Sequence, residues 1–520
     1  MNLEQFLRID TIAGIGHTFG EKGTTNWLIK PIGQSQLKFA ACACLVCFLI
    51  TSAALDRRLE TMHDLNSSMP ERNLTMRQAV IMASGSICIY EILRRVASWV
   101  WWTTPDKQEK VPEKVDDPVH GSGPLPEFGE SLRAREYSFP DGTHTVNNGA
   151  YGCVPQIVLR EQKRLMDERE TNPEMWYRYL SPAMYKDAVK NVAEFVGAKP
   201  ENLVLVENVT TATNAIVKSF RFRAGDQILV TNHTFKAVLT TLDYWVTTLN
   251  QLDQDISIVP IKIPVQTTAK EIIEHYSRAL DENPRINLAM IDHITSSSAI
   301  VMPIKELVDL CHSRGVMVAI DGAHAPGQIP LRLEDLGADF YYGNLHKWLF
   351  SPRGCALLYV HPKHQRWIQT PVSSYNTLEE NLQERFQDNG TRDSIPYYTV
   401  KHCINFLNYL GGLERVTAYN SELVQWAAEM LSKAWGTTWI ELEENLRAPF
   451  MRLIVLPQTK KLLTFKTNRE LAYEVLNQHG IVTAITGDGK NTYLRISAQV
   501  YNYKEEYHAL RDAIIDILDI

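Results

Sequence analysis

The chain has 520 residues, of which 45% are hydrophobic and 22% charged, and a formal net charge of -7. That length exceeds one typical domain, and the composition is that of a folded globular protein. The acidic balance excludes a general attraction for nucleic acid or an anionic membrane surface, and the eight cysteines show neither metal-ligand spacing nor the regularity of a disulfide framework.

Residues 1–102 form an N-terminal region with one conspicuous stretch. Phe39–Leu55 is an uncharged apolar run of 17 residues between Lys38 and Asp56-Arg57-Arg58. It has the length of the shortest membrane spans, roughly 17–25 residues, and equally that of one arm of a buried helical hairpin with Ala79–Tyr90. Basic residues on both sides leave its orientation open. Cys42, Cys44 and Cys47 lie within it, where S-acylation is chemically feasible. Residues 103–129 are charged and carry five prolines; such a segment buries too little apolar surface to offset chain entropy and reads as a linker.

From residue 130 onward, helical and strand-like patterns alternate. Helices are expected at Pro155–Glu170, Pro182–Val196, Thr211–Ser219, Phe235–Thr248, Ala269–Leu280 and Ile304–Arg314. Between them lie strand-like runs at Asn202–Val206, Gln227–Val230, Ile256–Ile261, Leu288–Ile291, Val316–Ile320, Ala338–Tyr342 and Cys355–Val360. Strands separated by helices imply an α/β fold with a largely parallel sheet covered on both faces. The expected division is 130–174 as the first part of a small domain, 175–370 as a large domain, and 371–520 as the rest of the small domain.

In open α/β sheets, ligands sit at the carboxyl ends of strands, and the polar residues here collect there. Glu207-Asn208-Val209-Thr210-Thr211 follows one strand, Thr231-Asn232-His233 the next, then Asp292-His293-Ile294-Thr295-Ser296, Asp321-Gly322-Ala323-His324 and Asn344-Leu345-His346-Lys347-Trp348. Thr210 reads either as a helix cap or as a phosphate ligand at a helix N-terminus. Lys347 is the unusual one. Lysine is rarely buried unless paired or reactive, and a desolvated amine has a lowered pKa that suits attack on a carbonyl.

The segments NNGAYGCVP, ENVTTATN, IDHITSSSAIVMPIKEL, AIDGAHAPGQ, GADFYYGNLHKW, GTRD and LRISAQVYN occur in that order. Together they resemble the class V aminotransferase family of fold-type I pyridoxal-phosphate enzymes. The similarity is to the branch that contains isopenicillin N epimerase, plant-type L-cysteine desulfhydrase and hercynylcysteine sulfoxide lyase. It covers about residues 130–520. The resemblance implies a mainly parallel large domain, a small α+β domain and a homodimer with shared sites. It also implies that Lys347 bonds covalently to pyridoxal phosphate and later moves the substrate's α-proton, with Asp321 against the pyridine nitrogen and His324 near the ring hydroxyl. His233 would stack on the cofactor face. Thr210, Thr211, Asn344 and His346 would hold the phosphate, with Thr391 reaching across to the neighbouring subunit. Arg495 would grip the substrate carboxylate, with Asn148 as a second contact. No metal is implied.

A persulfide-forming desulfurase needs a thiol on the loop before the carboxylate-binding arginine. Residues 485–491 contain none, and the last cysteine is Cys403. Cys153 reads as a packing cysteine in an early turn or as a neighbour of the site. The leading expectation is β-elimination of sulfur from a cysteine-type amino acid or cysteine-derived sulfoxide, giving pyruvate and ammonia. Epimerisation and transamination are the alternatives, and a scaffold without chemistry is disfavoured by the presence of Lys347, Asp321 and Arg495. The sequons at Asn208 and Asn389 fall inside expected cofactor-binding elements, so a cytoplasmic placement of the catalytic body is expected, with or without an anchor at 39–55.

Overall fold

The structure is a computed structural model that describes residues 124–520. The apolar run at 39–55, with Cys42, Cys44 and Cys47, and residues 103–123 of the expected linker lie outside the described residues. Among the described residues, no helix is long and apolar enough to cross a membrane.

A short helix α1 (Glu130–Glu136) leads to strand β1 (His144–Thr145) and helix α2 (Gln156–Thr171). Helix α3 (Ser181–Phe195) then begins the alternation that builds the main sheet. Its strands are β2 (Leu203–Val206), β3 (Gln227–Thr231), β4 (Ser257–Ile261), β5 (Ile286–Asp292), β6 (Met317–Asp321), β7 (Phe340–Asn344) and β8 (Ala356–Val360). They lie side by side in the order β2-β8-β7-β6-β5-β3-β4. β8 runs antiparallel to both its neighbours, and the other pairings are parallel. Helices α4 (Val209–Ser219), α5 (Lys236–Asn250), α6 (Ala269–Glu282) and α7 (Ile304–Ser313) make the crossovers.

Apart from the edge strand β4, the sheet is buried on both faces. Along β2, Leu203 and Leu205 join one apolar cluster while Val204 and Val206 join another, as the two-residue period of a strand requires. The expected strands appear within a residue or two of their sequence limits. The start of α4 differs: Asn208 caps it, accepting Thr211 N–H at 2.9 Å, so Thr210 is a first-turn residue with an exposed side chain rather than the cap.

The C-terminal part packs helices α8 (Gly412–Ala434), α9 (Asn468–His479) and α10 (Lys504–Leu518) on an antiparallel sheet. That sheet joins β9 (Met451–Val455), β11 (Ala484–Gly487) and β12 (Thr492–Ser497) in the order β11-β12-β9. β1 pairs in parallel with β10 (Ile481–Val482), so the chain near residue 144 is stitched to this C-terminal part.

At the opposite end of the main sheet from the strand-end polar residues, Asp339 is fully buried. It accepts hydrogen bonds from His364 Nε2 at 2.7 Å and Val318 N–H at 2.7 Å, approaches His312 Nε2 at 2.9 Å, and pairs with Lys363 Nζ at 2.7 Å. Burial alone would raise its pKa, but these partners outweigh burial and hold the carboxyl well below the usual range. A depressed carboxylate stabilises the fold above its unfolded pKa of about 3.9 and loses that contribution as pH falls further. Asp339→Asn is therefore expected to cost about 3 kcal/mol in urea denaturation at pH 7 and less at pH 3.5.

Candidate active site

The carboxyl ends of β5, β6 and β7 place Asp292, Asp321 and the turn Leu345–Trp348 side by side. Lys347 is 9% exposed and is the only lysine buried among the described residues. Burial pushes its pKa down to about 8; Asp321 and Asp292 oppose that shift and Arg495 adds to it. Its Nζ lies 3.1 Å from His324 Nε2 and 5.9 Å from the centre of the Phe235 ring. The backbone beneath it is clamped by the Asn147–Gly152 turn. Asn148 Nδ2 donates to the Lys347 carbonyl at 3.0 Å. Gly152, at φ +65°, lies so close that a Cβ there would sit 2.1 Å from the His346 carbonyl oxygen, which only glycine permits.

Asp321 and Asp292 are register partners on adjacent parallel strands, and both are buried. Burial raises both carboxyls, Asp292 the more because Asp321 adds like-charge repulsion, so the pair favours a single negative charge. Asp321 accepts Ala323 N–H at 2.9 Å. Sequence reasoning placed Asp292 at a strand end without a role; the signal missed is that it and Asp321 occupy equivalent positions in successive parallel strands.

Arg495 comes from β12. Its neighbours Leu494 and Ile496 belong to the apolar core of the C-terminal part, so the two-residue period turns Arg495 to the opposite face, towards Lys347. It donates from Nη1 to the Ser296 carbonyl and from Nη2 to Asn147 Oδ1 at 2.5 Å. Its Nε has no partner, and burial alone lowers its pKa to about 10, no carboxylate lying near enough to raise it. A buried guanidinium without a counter-ion is costly unless an anion joins it. Asn148, the expected second carboxylate contact, is instead saturated by scaffold, its Oδ1 accepting Tyr501 O–H at 2.8 Å. Its neighbour Asn147 meets Arg495.

His324 is buried, and its imidazole is held neutral by burial and by the positive charges of Lys347 and Arg495. Its Nε2 is also 3.3 Å from Ser296 Oγ, which is 3.4 Å from Arg495 Nη1. Ser296 therefore bridges the guanidinium and the His324–Lys347 pair, a position that sequence reasoning did not assign. His233 is tied elsewhere: Nε2 meets the Ile263 carbonyl at 2.8 Å and Nδ1 meets Ser298 Oγ at 3.0 Å. The aromatic face near Lys347 belongs to Phe235, two residues on, whose side chain is 42% exposed.

Asn344 Oδ1 accepts the Val209 N–H at 3.2 Å, tying the start of α4 to the lysine turn. Thr210, Thr211 and Asn208 line an open cavity with Glu207, Asn214 and Asn389. Arg392 pairs with Glu207 in the same chain, so the loop carrying exposed Thr391 flanks its own α4. His346 Nδ1 faces the Cys355 carbonyl at 3.2 Å, and burial lowers the pKa of the ring to about 4. Cys153 Sγ lies 3.6 Å from the Tyr501 hydroxyl oxygen, and burial raises its thiol pKa, so it is no ready nucleophile.

The aminotransferase class-V family profile matches residues 153–510. The chain belongs to that family. It is 28% identical over 422 residues to the L-cysteine desulfhydrase of Arabidopsis thaliana, covering 72% of this chain and 88% of that protein. It is 27% identical over 407 residues to the hercynylcysteine sulfoxide lyase of Schizosaccharomyces pombe, covering 76% and 98%. The fold is similar to that of the cysteine desulfurase of Thermococcus onnurineus NA1. That structure superposes with a TM-score of 0.60 at 18% identity, over 77% of this chain and 99% of the other.

Proposed function

We propose that this chain is a pyridoxal-phosphate-dependent carbon–sulfur lyase acting on a cysteine-type amino acid. The observation that carries the reading is the buried Arg495 guanidinium, without a carboxylate counter-ion, linked through Ser296 and His324 to a lysine of depressed pKa. The donor set fits the cofactor. Lys347 offers a free amine for its aldehyde, Asp321 a buried carboxylate for its pyridine nitrogen, and Phe235, in place of His233, an open aromatic face. Thr210 and Thr211 offer hydroxyls at a helix N-terminus for its phosphate. Pyridoxal phosphate, when bound, supplies the electron sink that makes a Cα proton acidic.

The chain's own residues do the rest. Arg495 receives the substrate carboxylate through its two-pronged fork and so fixes the direction of the Cα–H bond. Lys347 Nζ, free base above about pH 8, takes that proton as general base. His324, neutral, and Ser296 offer hydrogen-bonding groups beside Lys347 and Arg495. Loss of the β-sulfur follows, and overall L-cysteine and water give pyruvate, ammonia and hydrogen sulfide.

The family's homodimer with shared sites and a cytoplasmic catalytic body belong to the same reading. Asn208 supports the cytoplasmic placement, since a glycan on it would crowd the cap of α4. The reading is tested by incubating the reconstituted protein separately with L-cysteine and with hercynylcysteine sulfoxide and measuring pyruvate and the released sulfur species. Pyruvate from at least one is expected. Racemised amino acid without pyruvate would replace elimination by epimerisation.

A further inference from the structure

We propose that Trp348 is a positioning residue whose indole N–H fixes the tautomer of His324, leaving the imidazole proton on Nε2 and aimed at Lys347 and Ser296. Trp348 Nε1 lies 3.4 Å from His324 Nδ1, and both side chains are 1% exposed. An indole nitrogen has no lone pair to offer, so it can only donate. A proton on Nδ1 would meet the indole N–H head-on. Nδ1 therefore presents its lone pair, and a neutral imidazole carries its single proton on Nε2. The surroundings keep the ring neutral through burial and the neighbouring Lys347 and Arg495.

The two rings are held in this relation from several sides. Phe450 packs edge-on to Trp348 at 5.5 Å, and its N–H donates at 3.1 Å to Gln328, whose amide donates at 2.7 Å to the His324 carbonyl. Gly149 lies across both rings. A Cβ there would come 2.8 Å from Trp348 Cζ2 and 3.2 Å from His324 Cε1, so the turn carrying Asn147 and Asn148 closes directly over the pair.

The consequence is electrostatic. An Nε2–H directed at Lys347 Nζ over 3.1 Å favours the free amine, which can accept, over the ammonium, which cannot. The opposite tautomer would offer a lone pair to the ammonium and stabilise it. With a cofactor bound, the same N–H is a preset donor for an oxygen beside the lysine; that use rests on the proposed function, whereas the tautomer does not.

The test is the titration of Lys347 in the full-length, cofactor-depleted chain, followed by trace acylation across pH and mass spectrometry. Trp348→Phe keeps an aromatic ring and deletes the N–H. Its Lys347 midpoint is expected to rise by about one pH unit, the equivalent of one hydrogen bond. In a His324→Gln background, which has no tautomer to set, Trp348→Phe is expected to shift it by less than about a third of that. Equal shifts in both backgrounds would reassign Trp348 to packing, and a folded Trp348→Phe chain without any shift would overturn the proposal. If Trp348→Phe fails to fold, nitrogen-15 NMR of histidine-labelled wild-type chain decides. The resonance lost in His324→Gln should carry its proton on Nε2, and a proton on Nδ1 would sink the assignment. None of these readouts needs turnover, so they fail or succeed independently of the lyase reading.

Discussion

Replacing Lys347 with alanine is expected to abolish the visible absorption of the reconstituted protein and to lower pyruvate release from L-cysteine by about a thousandfold or more. Both effects follow from one atom. Nζ is buried and close to the Arg495 charge, and these outweigh the two neighbouring carboxyls, so the free amine is populated at a pH where an exposed lysine is almost fully charged. With a pKa of about 8, the rate at which wild-type protein takes up cofactor should climb from pH 6.5 to 9, with its midpoint near 8. Lys347→Arg, charged throughout that range, should not recover either property. An alanine variant that keeps the visible band would assign the covalent role to another lysine.

Arg495→Ala is expected to lower kcat/KM for L-cysteine by about a hundredfold to a thousandfold, the usual cost of removing one partner of a buried charge pair. Arg495→Lys should recover little of it, because an ammonium lacks the planar fork and would leave Asn147 Oδ1 and the Ser296 carbonyl, both contacts of the guanidinium, competing for one nitrogen. The control is cysteamine, which has the thiol and amine but no carboxylate. Its slow turnover should be indifferent to either substitution. Equal losses on cysteine and cysteamine would mean that Arg495 supports the fold of the site rather than gripping a carboxylate. The effect should be larger than for most surface arginines, since the structure gives this one no carboxylate partner.

The contacts that the sequence left open share a physical cause: adjacent positions in a loop point in different directions. Asn147 and Asn148 are neighbours, yet one meets Arg495 and the other the Lys347 carbonyl. His233 and Phe235 stand two apart, and the histidine is turned into a hydrogen-bonded scaffold while the phenylalanine faces the lysine. Asn208 rather than Thr210 caps α4 because its side chain reaches forward to accept the Thr211 N–H. Nothing in local periodicity distinguishes these choices, because each partner is fixed by a contact that the rest of the fold supplies.

By itself, the sequence determined the alternation of helices and strands, a largely parallel sheet and the residues at its carboxyl ends. Apolar runs of strand length, interrupted by polar strand-end segments, are local patterns that the chain's chemistry enforces. Lys347 and Asp321 were legible as polar residues at strand ends, and their candidate roles, like that of Arg495, came from the order of motifs that resembles the class V aminotransferase family. Only the tertiary structure decided which of their neighbours share a site. It brought Ser296 to Arg495 across 199 positions of sequence, set Asp292 beside Asp321 on the next strand, and laid the indole of Trp348 against His324. Those relations depend on strand register and on which face of β12 is turned from its own core, and both are settled by packing between distant segments.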